Sequence, residues 1–167
     1  MAADLQNTLY MDLKDGRVVI ELHPELAPKT CARIEQLVRA HFYDGLTFHR
    51  VIAGFMAQTG DPTGTGMGGS GQKLPAEFSE APFVRGAVGM ARASDPNSAD
   101  SQFFIVLQDS NFLNGQYTLF GTVVKGMQYV DEIKKGDPND NGMVDQPDKI
   151  IHMTVAADDK DAGPTKK

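Results

Sequence analysis

Tryptophan is absent from this 167-residue chain, and cysteine occurs once, at Cys31. A single thiol excludes an intrachain disulfide framework and a cysteine-rich zinc site. Long apolar runs are missing too. No stretch approaches the roughly 18 apolar residues of a membrane-spanning helix, so no membrane partner is expected. Basic residues are the minority, with 16 Lys and Arg against 22 Asp and Glu and a net charge of −6. A nucleic-acid tracker normally carries a basic face, so no nucleic-acid partner is expected. The opening MAADLQNTLYMDLKDG has an acid at Asp4 and no apolar run of signal-peptide length, which points to the cytoplasm. No heptad seam is visible, so a monomer is expected.

What is present has globular composition: 41% hydrophobic and 23% charged residues. The length suits one domain, assigned to residues 1–157, followed by a polar tail at 158–167 that is expected to be disordered. Seventeen glycines and nine prolines imply many turns and a β-rich fold. Residues 8–13 and 17–22 flank Lys14-Asp15-Gly16 and read as a β-hairpin. Pro28 suits the first turn of a helix. Cys31, Ile34, Leu37 and Val38 then recur at helical spacing, and the helix should stop before Asp44-Gly45. Residues 46–58 read as two strands around Ala53-Gly54, taken as a bulge or bend, with Phe48, Arg50 and Ile52 on one face. Further strands are expected at 87–91, 102–107, 119–124 and 149–157, and a second helix at 126–135. About eight short strands and two helices suggest a barrel or sandwich.

Most chemical motifs fail on their context. Gly64, Gly66 and Gly69 fit G-x-G-x-x-G, but the following SGQKLP cannot open a helix, so a surface loop is expected there. Residues 137–148 fit the front half of a calcium loop. Asp148 replaces the longer Glu, however, and Pro147 stands where an exit helix would begin, so an Asn-Gly turn is favoured. His23, His41, His49 and His152 show no metal-binding spacing, and neither H-E-x-x-H nor G-x-S-x-G occurs. No metal or cofactor is predicted. Cys31, on an apolar helix face, reads as an inert core thiol. The informative stretch is FHRVIAGFMAQTGD, residues 48–61, which places Arg50 on an otherwise apolar strand. Composition alone would make Arg50 a snorkelling surface residue and SQFFI, 101–105, a core strand.

Taken together, these segments resemble the cyclophilin family of peptidyl-prolyl cis–trans isomerases. FHRVIAGFMAQTGD matches the family's central motif nearly residue for residue. GTGMGGSG, GAVGMARA, SQFFI and LNGQYTLFGTVVKGM recur in the family's order. The resemblance spans about residues 8–157 and is to a small bacterial-type member. It implies a closed eight-stranded antiparallel β-barrel capped by two α-helices, and a cofactor-independent isomerase that assists folding as a chaperone does. It implies proline-containing polypeptides as partners. Arg50 aligns with the catalytic arginine. Phe55, Met56, Phe104 and Leu113 align with the pocket for the proline ring, and Gln58 and Gln102 with polar groups near the peptide backbone. Ala91 and Arg92 align with the strand that pairs with substrate, and Gly64 with a groove-side glycine. Phe112 stands where the best-known animal members carry tryptophan, and Tyr117 where they carry histidine. Without an indole N–H, cyclosporin-like cyclic peptides should bind only weakly. The competing expectations are a non-catalytic proline-peptide-binding module on the same fold, and a calcium-dependent interaction protein built on residues 137–148.

Overall fold

The computed structural model describes residues 5–158. The predicted hairpin is present: β1 (Thr8–Leu13) pairs antiparallel with β2 (Gly16–Leu22), with Leu13 opposite Gly16. Helix α1 (Pro28–Arg39) follows, with Cys31, Ile34, Leu37 and Val38 buried. Ala27 has no capping side chain to offer. The carboxylate of Glu77 stands in, accepting hydrogen bonds from the Lys29 and Thr30 amides at 3.1 and 2.8 Å. Its charge also opposes the positive end of the helix. Past the helix end, His41 takes a left-handed conformation (φ 61°), and the Phe42 amide returns to the Leu37 carbonyl.

The remaining elements are β3 (Arg50–Ile52), β4 (Met56–Thr59), β5 (Ala87–Met90), β6 (Phe103–Val106), β7 (Leu119–Lys125), α2 (Met127–Asp131) and β8 (His152–Val155). Helix α2 is shorter than predicted because the Lys134 amide leaves the helix to bond the Asp148 carboxylate at 2.9 Å. Ala53-Gly54 makes a full reversal, not a bulge: β3 and β4 pair antiparallel, with Ile52 opposite Met56. Phe48 does not share a face with Arg50 and Ile52. The strand begins only at Arg50, so the two-residue alternation does not reach back to Phe48, which is buried in the interior while Ile52 packs on the other face.

Among the described residues the eight strands join one antiparallel sheet in the order β3-β4-β6-β5-β7-β2-β1-β8. The expected closed barrel is not formed as a ladder. The sheet is curled but open, with β3 and β8 as its two ends. One isolated bridge, Thr47 to Lys149, and bonds such as Phe48 N–H to the Asp148 carbonyl tie the chain ahead of the two end strands. Two features prevent strand closure: β3 is only three residues long, and the Met153 amide of β8 is taken by the Asp44 carboxylate at 2.9 Å. A side chain thus blunts that edge. Asp158, expected in the tail, closes a short 3-10 turn and pairs with Arg39 at 2.7 Å. Residues 159–167 lie outside the described residues.

Apolar side chains bury on both faces of the sheet. The interior cluster gathers Leu9, Met11, Val18, Ile20, Phe103, Ile105 and Phe120 with the inner faces of both helices. A second cluster on the outer face holds Met56, Phe83, Phe104, Val106, Leu113 and Leu119. The second cluster floors the site.

Candidate active site

Strand register assembles the site. Arg50 lies opposite Gln58, Gln58 opposite Phe104, and Phe104 opposite Gly89, so one row crosses β3, β4, β6 and β5. Directly opposed residues share a face, so the row points outward as a unit. Gly89 is required in that row. A Cβ there would lie 2.6 Å from the Phe83 ring and 2.8 Å from the Phe104 ring, which stack with centroids 5.8 Å apart.

Arg50 is held from two sides. Its Nη1 donates to Gln58 Oε1 at 3.1 Å, its Nε to the Asn141 carbonyl at 2.9 Å, and its Nη2 to Asn141 Oδ1 at 3.2 Å. A guanidinium has five N–H donors, so two remain for a ligand. Partial burial lowers the pKa of Arg50 from its ordinary value, with the nearby Tyr117 acting in the opposite sense. A guanidinium stays charged regardless. The polar chain continues outward. Gln58 Nε2 donates to Gln102 Oε1 at 2.8 Å, and Gln102 Nε2 donates to the Gly66 and Gly68 carbonyls, each at 2.9 Å.

Asp61 shapes the loop that receives this chain. Its carboxylate accepts from the Thr63 amide and hydroxyl and from the Thr65 and Gly66 amides, at 2.6–3.1 Å. Burial works against its charge, but the Thr63, Gly68 and Gly66 hydrogen bonds outweigh that and hold its pKa down at about 2. The G-x-G-x-x-G segment is therefore a loop organised around a carboxylate, and it opens no helix. Beneath it, burial lowers the pKa of His49, which favours the neutral imidazole.

Beside Arg50 lies a cavity of about 140 Å³. Phe55, Met56, Ala91, Phe104, Leu113 and Tyr117 form its apolar wall, and Gln58 and Arg92 its polar margin. Tyr117 stands edge-on to Phe104, at 5.8 Å and 90°, and carries the Arg92 guanidinium 4.7 Å above its ring. Arg92 also donates to the Gln116 carbonyl at 2.8 and 3.1 Å, which fixes the wall from outside. A second cavity of about 370 Å³ shares Gln58, Ala91 and Arg92 and extends the groove along the loop at Gly66–Gly69.

The family model described as cyclophilin type peptidyl-prolyl cis-trans isomerase/CLD matches residues 8–155. The chain belongs to the cyclophilin family. A probable peptidyl-prolyl cis-trans isomerase of Brucella suis is 57% identical over 171 residues, covering 95% of this chain and 87% of the relative. Peptidyl-prolyl cis-trans isomerase B of Bacillus subtilis is 45% identical over 133 residues, covering 78% and 92%. Among solved structures, a cyclophilin from Hirschia baltica superposes with a TM-score of 0.84 at 27% identity, covering 95% of this chain and 77% of that one. A Cryptosporidium parvum cyclophilin, solved in the presence of the dipeptide Ala-Pro, superposes with a TM-score of 0.80 at 30% identity, covering 89% and 98%.

The fold of this cyclophilin thus gathers most of the residues expected from the sequence. Three sit apart from the 140 Å³ cavity. Gln102 lines the neighbouring one. Phe112 stands at the rim, 71% exposed, with its ring 5.5 Å from Phe55. Gly64 lines neither cavity; its φ of 72° serves the turn, and its amide bonds the Asp61 carbonyl. The calcium-loop pattern is used otherwise. Asp137 caps a turn by accepting from the Asn139 amide, and Asp148 accepts from Lys134. Among the described residues these acids form no ligand group. Cys31 is buried with its thiol pKa pushed up to about 12 by burial, the state of an inert core thiol. Three contributors escaped the sequence: Asn141, Phe83 and Gly89. Asn141 was visible only as half of an Asn-Gly turn, and it lies 91 residues from the arginine that it holds.

Proposed function

We propose that the groove binds an X–Pro segment with the proline ring against Phe55, Met56, Phe104, Leu113 and Tyr117, and that Arg50 promotes rotation of the preceding amide. Rotation about that bond is opposed by a resonance barrier of roughly 18–20 kcal/mol. No covalent bond breaks, so the reaction calls for no nucleophile, metal or cofactor. In the twisted transition state the prolyl nitrogen regains a lone pair. A guanidinium N–H can donate to it only then, and a contact made only in the transition state lowers the barrier. The apolar wall excludes water, which strengthens that contact. A 10⁵-fold acceleration requires about 7 kcal/mol, at about 1.4 per tenfold. One well-placed donor supplies about 3–4 of it, and ring fixation supplies the rest.

The observation that carries this reading is Arg50 itself: held by Gln58 and Asn141 beside an apolar cavity, with two donors to spare. That the Cryptosporidium parvum cyclophilin was solved in the presence of the dipeptide Ala-Pro supports a small proline-bearing ligand. Phe112, an exposed ring with no N–H donor, supports weak affinity for cyclosporin-like cyclic peptides. The test is NMR exchange of a short Ala-Pro peptide, with native protein and with Arg50→Ala. Exchange catalysed by micromolar native protein should fall by about 10²–10³-fold in the variant. Peptide binding without accelerated exchange would favour a binding module instead.

A further inference from the structure

On a part of the molecule that shares no residue with the proline groove, two histidines meet one carboxylate. His41 Nδ1 and His152 Nδ1 each lie 3.2 Å from the same oxygen, Asp44 Oδ2. One ligand atom from each of the three residues falls within 4.8 Å of the others. The rings are nearly parallel, 25° apart with centroids at 6.1 Å. The other carboxylate oxygen, Oδ1, is occupied by the Met153 amide of the open β8 edge at 2.9 Å. Oδ2 is thereby fixed in direction and left to the imidazoles.

The two contacts fall at the long end of an ordinary N–H···O hydrogen bond, a spacing that also suits ligands of a shared metal ion. A charge-assisted hydrogen bond from imidazolium to carboxylate would be about 2.7–2.9 Å. The two contacts at 3.2 Å are longer. They come close to the ligand–ligand edge of about 3.3 Å in a tetrahedral site with metal–ligand bonds of about 2.0–2.1 Å. The outer shell is also in place. His152 Nε2 lies 2.6 Å from Thr154 Oγ1, a partner that can hold the ring with Nε2–H outward and the Nδ1 lone pair inward. His41 occupies the position just past α1, where a left-handed φ ordinarily selects glycine. The nearby cations are each paired: Arg17 with Asp12 and Arg39 with Asp158, both at 2.7 Å. A cavity of about 680 Å³ opens beside the two histidines and leaves room for a water as fourth ligand.

We propose that His41, Asp44 and His152 form a binding site for a divalent first-row transition metal ion of the zinc class. Two imidazoles and one carboxylate suit such an ion and not magnesium or calcium, which take oxygen ligands. The bound ion ties the end of α1 to β8, the edge at which the sheet fails to close. In sequence the two histidines are too far apart for any spacing motif to reveal them.

The test is calorimetric titration of the untagged full chain with zinc chloride in a non-chelating buffer. One ion per chain is expected, with micromolar affinity and no competition from millimolar magnesium. His41→Ala and His152→Ala should each weaken binding tenfold or more. Asp44→Asn, which can still accept the Met153 amide, should weaken it as well. At a hundred-fold excess of zinc over its dissociation constant, the native chain should melt about 5–10 °C higher. In NMR of the native protein, zinc should move the ring signals of His41 and His152 and leave His23 and His49 in place. Three results would each overturn the proposal: no saturable uptake at tens of micromolar zinc, binding undiminished in both histidine variants, or zinc-induced shifts confined to His23 or His49.

Discussion

Strand β6 serves two environments with alternate residues. Phe103 and Ile105 enter the interior, where Phe103 meets Tyr43 and Phe120 edge-on at 5.4 and 6.1 Å. Phe104 and Val106 face outward into the second apolar cluster. All four are buried, so burial alone does not separate them. The difference lies in what covers each face. The interior is sealed by the curl of the sheet and by α1 and α2. The outer cluster is covered on one side by two separate segments, the one before β5 that carries Phe83 and the turn between β6 and β7 that carries Leu113, and on the other it ends at an open cavity bordered by Arg50. An apolar face left uncovered beside a fixed cation has the form that a ligand-binding surface requires.

Substitutions can break this comparison. The largest effect is expected from Phe103→Ala. Removing a ring from the sealed side should destabilise the fold by about 3–5 kcal/mol in denaturant unfolding while leaving exchange per folded molecule nearly unchanged. Phe104→Ala should invert the pattern, with exchange falling at least about tenfold because the ring pocket loses its floor, and with a smaller loss of stability, since the site already opens to solvent. If both variants lose activity in proportion to stability, the two faces are one core.

A smaller effect concerns the loop that borders the groove. Asp61 has a folded pKa of about 2 against an ordinary 3.8. Its carboxylate therefore contributes stability that is fully present above about pH 4 and is lost as pH falls towards 2, amounting to about 2–3 kcal/mol at about 1.4 per pKa unit. Asp61→Asn should be less stable at pH 7 by that amount, and the gap should close between pH 4 and 2 in acid titrations followed by circular dichroism. The smallest effect belongs to Asn141→Gly. Glycine keeps the left-handed φ of 57° but deletes Oδ1, so Arg50 retains the backbone carbonyl and loses one side-chain anchor. Catalysed exchange should fall about three- to tenfold, with unfolding unchanged within about 0.5 kcal/mol. An unchanged exchange rate would mean that Gln58 and the residue-141 backbone carbonyl suffice to position the guanidinium.

The sequence by itself determined the local elements and named most residues of the candidate site. The Lys14-Asp15-Gly16 turn, the apolar face of α1 and the strands at β5, β6 and β7 are written in short-range periodicity, and FHRVIAGFMAQTGD carries Arg50, Phe55, Met56 and Gln58 together. Tertiary structure decided what depends on pairing between distant segments. Period two says that Phe103 and Phe104 face opposite ways, but not which way is inward; the register Gln58 to Phe104 decides that. Alternation also misplaced Phe48, because the strand starts two residues later. The open edge at β8 arises when Asp44 takes the Met153 amide across 109 residues, and the same fold brings His41 to His152. Such contacts leave no local pattern, because the residues become neighbours only after the chain has folded around its interior.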